Sequence, residues 1–164
     1  MSLFNMFKPK EKCELKEDNM SSAIERMALM NATKQNTKFF SLEGQIFEAK
    51  IVYIYDGDTM HVVFSLFNKT YKWNCRVMGV DTPEVRTRNL KEKEMGIKVR
   101  DILREKLQDK IVKIKCFDFD KYGRLLIDLC FEFEPGSEML LSQWLIQNKY
   151  AYEYNGGTKQ SWDL

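Results

Sequence analysis

Met60, Val62, Phe64 and Leu66 alternate with Thr59, His61, Val63 and Ser65, the period-two pattern of a strand with one buried face. A strand of that kind commits the chain to a sheet. The same reading gives strands over Ile46 to Tyr55, Tyr71 to Val80, Ile111 to Phe119 and Leu125 to Phe133, with Asn68-Lys69 as the expected hairpin turn after Met60 to Phe67. Between the third and fourth strands, Met95, Val99, Ile102, Leu103 and Leu107 fall on one face of a helix over about Leu90 to Gln108. Pro135-Gly136 breaks the fifth strand, and Ser137 is the expected cap of a second helix whose Leu140, Leu141, Trp144 and Leu145 face inward. Three strands, a helix, two strands and a helix predict an α+β fold: a five-stranded Greek-key β-barrel of the OB type with two or three helices.

The third helix would lie upstream. In a chain of 164 residues, 44% hydrophobic and 13% aromatic, one domain with an extension is expected. Residues 1–44 read as that extension, 45–155 as the barrel domain and 156–164 as a tail. The stretch Lys8 to Asp18 is charged, whereas Met20, Ala23, Ile24, Met27, Ala28 and Met30 give Asn19 to Asn31 an apolar helical stripe. That stripe either docks on its own domain or binds a protein partner through residues 19–31. Glu11, Glu14, Glu17 and Asp18 argue against a mitochondrial presequence.

Cys13, Cys75, Cys116 and Cys130 have no paired spacing, and His61 is the single histidine, which argues against zinc. Met1 to Lys10 lacks the apolar core of a secretion signal, and no run approaches a membrane span. The expectation is therefore a soluble, intracellular, cytoplasmic monomer with reduced thiols. Formal charge is only +2, but residues 85–115 hold eleven Lys/Arg against five Asp/Glu. Such a tract is either a solvated helix face or a guide for a polyanion.

Asp58 stands at the start of one strand and Asp81 just past the end of the next. If Met60 to Val80 is one hairpin, the two carboxylates meet at the same edge of the sheet. They then form an oxygen-only site suited to a hard cation, calcium or magnesium; the other reading is a pair of turn aspartates bonded to their own backbone. Glu84, three residues on and stiffened by Pro83, is either an exposed loop residue or a carboxylate able to accept a proton from an attacking water. Arg76 and Arg124 offer rigid forks for phosphate oxygens; the other reading of Arg76, set in an apolar strand, is a structural ion pair.

With Asp56-Gly57-Asp58-Thr59, Arg76 to Glu84 and Asp120-Lys121-Tyr122-Gly123-Arg124 in this order, residues 46–155 resemble a staphylococcal nuclease (thermonuclease) domain. The resemblance implies a calcium-dependent nuclease on an OB barrel that cleaves DNA or RNA, single-stranded or locally opened, and leaves 3′-phosphates. It implies one calcium ion held by Asp58, Asp81 and the Thr82 carbonyl, a phosphate clamp of Arg76 and Arg124, and Glu84 as general base or water-orienting group. Lys121 and Tyr122 would hold a neighbouring phosphate, and Tyr152 and Tyr154 would wall the base. The alternative is a catalytically silent OB-fold module that binds nucleic acid or protein. Against the family pattern, the connection from Asp118 to Asp120 is short and residues 1–44 are added.

Overall fold

The computed structural model describes residues 22–157 and 161–162. They form helix α1 (Ala23–Asn31), strands β1 (Ile46–Ile54), β2 (Thr59–Leu66), β3 (Lys69–Val77) and β4 (Val80–Asp81), helix α2 (Leu90–Leu107), strands β5 (Ile111–Phe119), β6 (Leu125–Glu134) and β7 (Ser137–Leu140), helix α3 (Leu141–Gln147) and strand β8 (Tyr152–Glu153). The chain divides into two units between Phe39 and Phe40.

In the first unit, α1 opens on a capping box: the Ser22 hydroxyl accepts from Glu25 N and the Glu25 carboxylate accepts from Ser22 N. Ile24, Met27, Leu29 and Met30 are exposed. The expected start of this helix at Asn19, like Met1 to Lys10 and Lys8 to Asp18, lies outside the described residues.

In the second unit the main sheet runs β3-β2-β1-β5-β6-β7, and a parallel pairing of β3 with β6 joins its ends. β1, β2, β3, β5 and β6 thus close a five-stranded mixed barrel, and with the three helices among the described residues, α1 in the first unit and α2 and α3 in the second, the fold is α+β of the OB type. Closure removes the free edges that an open sheet would expose. Ile51, Ile54, Met60, Val62, Ile114, Leu125, Ile127 and Leu129 fill the interior. α2 adds Val99, Leu103 and Leu107, and α3 adds Leu141, Trp144 and Leu145. Arg104 of α2 donates from Nε and Nη2 to the Ile54 carbonyl at 3.0 and 2.7 Å, tying the helix to the end of β1. No helix among the described residues is long and apolar enough to cross a membrane.

Three local expectations need correction. The β2–β3 turn is Phe67-Asn68, because Leu66 pairs with Lys69, and its φ values of 52° and 61° are those of the type I′ turn that matches strand twist in a two-residue hairpin. Ser137 caps no helix: Pro135-Gly136 turns the chain into β7, which pairs with β6, and α3 starts at Leu141 without a side-chain cap. The third strand stops at Val77, since Met78-Gly79 breaks it with Gly79 at φ 80°. β4 then pairs with β8 in a second small sheet.

Candidate active site

Sheet register brings the separated motifs together. Thr59 pairs with Arg76 across the β2–β3 hairpin, and Val77 N donates to the Asp58 carbonyl at 2.7 Å, so Asp58 and Arg76 share one end of the hairpin. Parallel pairing of Cys75 with Leu125 and Arg76 with Leu126 then sets Arg124, the residue before β6, beside that end. Asp81 pairs with Tyr152, and Tyr154 N donates to the Gly79 carbonyl at 2.9 Å.

Two glycines fix the loop from Asp81 to Glu84. A Cβ on Gly57 would fall 2.8 Å from Thr82 Cβ and Cγ2, and one on Gly96 of α2 would fall 2.6 Å from the Pro83 carbonyl oxygen. Both approaches are too close for any side chain. The Asp56–Asp58 turn therefore presses on Thr82 while α2 presses on Pro83. Glu92, in the first turn of α2, completes the support by accepting from Glu84 N at 3.1 Å and from the Thr87 hydroxyl at 2.8 Å.

Asp58, Asp81 and Thr82 are buried, at 3%, 2% and 3% exposure. Asp58 accepts from Arg76 Nη1 through Oδ2 and from the Thr59 hydroxyl through Oδ1 at 2.8 Å. Arg76 Nη2 donates to the Val80 carbonyl at 2.9 Å. Arg124 donates from Nε to Asp120 Oδ2 at 2.7 Å and from Nη1 to Thr59 Oγ1 at 3.4 Å. Thr59 thus links the two arginine systems through its hydroxyl. Asp120 also accepts from Tyr122 N and Arg124 N. Burial alone would raise the pKa of Asp120, but these bonds and the Arg124 charge outweigh it and hold the carboxyl below its ordinary value. Asp56 is shifted upward, by burial first and by the nearby Glu84 charge, against the pull of Asp58 N and Thr59 N.

Arg76, Glu84, Lys121, Tyr122, Arg124 and Tyr154 line one cleft of about 620 Å³ together with Asp120, Asn155 and Gly156. The Arg124 guanidinium lies 5.6 Å from the Tyr122 ring centre and that of Arg76 lies 6.0 Å from the Tyr154 ring centre. Asp58 joins the cleft through Arg76, whereas Tyr152 does not line it. Tyr152 instead stacks on Trp162 at 4.2 Å between ring centres.

Two carboxylates and a backbone carbonyl are all hard oxygen donors, and their burial against a tightly packed turn suits a cation such as calcium. Among the described residues no group of three or more His, Cys, Asp or Glu side chains could hold a metal ion. Chemically, the cleft presents two guanidiniums and a lysine to an anion, a carboxylate at Glu84 and two phenol rings. Sequence reasoning assigned no role to Asp120, Gly57, Gly96 or Glu92. Gly57 and Asp120 stand inside the quoted motifs, and Gly96 shows as an isolated glycine inside a helical pattern.

A family model described as staphylococcal nuclease homologue matches residues 74–162. The match takes in Arg76, Asp81, Thr82, Glu84, Lys121, Tyr122, Arg124, Tyr152 and Tyr154, and begins after Asp58. A comparison with curated proteins gave no match.

Proposed function

The chain belongs to the staphylococcal nuclease homologue family, and from that premise we propose that it is a metal-dependent nuclease that hydrolyses phosphodiester bonds of DNA or RNA and leaves 3′-phosphate ends. Family and barrel together support nuclease-like action or nucleic-acid binding on an OB fold. One observation carries the finer reading: both guanidiniums and the Glu84 side chain line the same cleft, and Asp58 is bonded to one of those guanidiniums.

In this reading Asp58, Asp81 and the Thr82 carbonyl hold one calcium ion. A bound cation of this kind withdraws charge from a phosphate oxygen and orders water. Arg76 and Arg124 hold the phosphate by bidentate hydrogen bonds and stabilise the charge that builds on its oxygens. Asp120 fixes the Arg124 fork through Nε, leaving the guanidinium's outer edge toward the cleft. Glu84 accepts a proton from the attacking water, and its loop is held in place by Glu92 and by the contact of α2 on Pro83. Lys121 and Tyr122 take a neighbouring phosphate, while Tyr154 offers a ring face to a base.

The test is cleavage of single-stranded DNA by the purified chain. Activity that is lost in excess chelator and returns with calcium supports the reading; full activity in chelator overturns the metal assignment. A second reading has its own observation: each arginine is bonded to a carboxylate of the chain, Arg76 to Asp58 and Arg124 to Asp120. Those pairs would also serve a silent module that binds nucleic acid without cutting it. Binding of DNA with no cleavage over a range of divalent ions and pH would decide for that reading.

A further inference from the structure

The far end of the β2–β3 hairpin carries aromatic surface that the cleft does not use. Phe67 is 75% exposed, Phe40 54% and Tyr71 42%. With Leu66, Lys72 and Trp73 they line a second cleft of about 400 Å³. The rings form a connected group: Phe40 lies 6.3 Å from Phe67 and 6.5 Å from Phe119, and Trp73 lies 6.3 Å from both Tyr71 and Phe119 between ring centres.

Phe67 is the telling member. It holds φ at 52°, a left-handed conformation that is uncommon for a bulky residue and comfortable for Asn or Gly. A turn selected for stability alone would not put an exposed phenylalanine there. Charge adds a direction. From Thr59 to Val80 the chain carries Lys69, Lys72 and Arg76 and no Asp or Glu. The nearest carboxylates along β5 and its loop are engaged locally, Asp118 with Phe119 N at 2.8 Å and Asp120 with Arg124. The chain also links the two clefts, because β3 runs from Lys69 at the tip to Arg76, seven steps of about 3.3 Å or roughly 23 Å. Phe119, on the tip's aromatic group, leads directly into Asp120 and Lys121 of the cleft.

Exposed rings interleaved with lysines, on a strand that leads to a phosphate-binding cleft, are what a single strand needs in order to stack its bases and track its backbone. We propose that Phe40, Phe67, Tyr71, Lys72 and Trp73 form a second contact surface for single-stranded nucleic acid, on which bases several nucleotides from the scissile bond stack. The proposal rests on the cleft's being the site of a polynucleotide, and its test reads binding alone so that the two stand or fall separately.

The experiment uses the full chain in excess chelator, so that nothing is cut, and follows fluorescently labelled oligothymidylates of about twelve and about three nucleotides. The variant is Phe67→Asn with Tyr71→Ser. Asn suits the turn, so the variant is expected to melt no lower than its parent, which a thermal scan checks. Loss of two stacks should weaken the longer oligonucleotide by roughly 30-fold to 10⁴-fold, with the trinucleotide unchanged. Equal affinity of variant and parent for the longer oligonucleotide overturns the surface while leaving the cleft reading standing. A parent that binds neither oligonucleotide overturns both. A parent that sediments as a dimer, turned monomeric by the same variant with no loss of oligonucleotide affinity, assigns the patch to a second copy of the chain and also overturns the proposal.

Discussion

Asp58 and Asp128 are both carboxylates almost wholly removed from water, at 3% and 7% exposure, yet their partners differ in kind. Asp128 accepts from Leu129 N at 2.9 Å, from Ser142 N at 3.2 Å and from the Ser142 hydroxyl. All three donors are neutral, and they stitch β6 to the first turn of α3. Asp58 instead meets Arg76, whose guanidinium also lines the cleft. Burial is costly in both places, so burial by itself marks no site. What separates them is whether the counter-charge is shared with a surface that a ligand can reach. Asp128 is a joint in the fold, and Asp58 is a carboxylate whose partner also faces a cleft.

The largest effect expected at the cleft comes from removing divalent cations. Excess chelator should abolish cleavage and leave the thermal melt of the barrel in place, since its core is complete without a metal. Next come the two arginines. Arg76→Ala and Arg124→Ala should each lower kcat by roughly two to four orders of magnitude, with Lys recovering little, because a point charge cannot reproduce a planar fork. Their stabilities should part. Arg76→Ala leaves Asp58 buried without its counter-charge and should cost about 3 to 5 kcal/mol. Arg124→Ala breaks a pair that is more exposed, at 22% and 15% of its side-chain surface, and should cost less, about 1 kcal/mol. Denaturant titration beside initial rates checks both halves. If Arg76→Ala folds as well as its parent, the Asp58 pair is not the structural element the geometry makes it.

A smaller effect should follow from the loop between those residues. Gly96→Ala places a methyl 2.6 Å from the Pro83 carbonyl oxygen, so either the helix or the loop must shift. Displacement of Glu84 by about 1 Å should cost on the order of 10² in kcat, against about 1 to 3 kcal/mol in stability. Gly96→Ala with unchanged kcat and a lowered melt would make the glycine a packing residue only.

The sequence made some of this readable and hid the rest for identifiable reasons. Period two in Thr59 to Leu66 and the apolar face of Leu90 to Leu107 are local patterns, and both elements stand where those patterns put them. The motifs around Arg76, Glu84 and Arg124 named residues that share a cleft. The reason they share it, the parallel pairing of β3 with β6, leaves no mark in either strand, because register between distant strands is not a periodic signal. Phe67 leaves no turn signal, because phenylalanine has no turn propensity. Ser137 looked like a helix cap because a cap residue and the first residue of a short strand read alike. The stacking of Tyr152 on Trp162 joins positions that no spacing rule connects.

The smallest expected effect is on the other side of the comparison, at Asp128, and its sign can be worked out. Burial is the main cause that raises this carboxyl above its ordinary value of 3.8, opposed by the bonds from Ser142 and Leu129 and by the charge of Lys115, its pairing partner on β5. A carboxyl raised in the folded state binds protons more readily folded than unfolded. Its contribution to stability is therefore fully present below the unfolded value and is lost as pH rises through the folded one. Asn at the same place stays neutral throughout. Asp128→Asn should lower stability by about 1 to 3 kcal/mol at acid pH, where it loses part of the acceptor set. The deficit should shrink as pH climbs from 3.8 toward neutrality, where the parent bears a buried charge. Cleavage rates corrected for the folded fraction should not change, since Asp128 is absent from the cleft. A deficit that widens with pH would mean that Lys115 and the three hydrogen bonds outweigh burial, and that Asp128 is held as a charge.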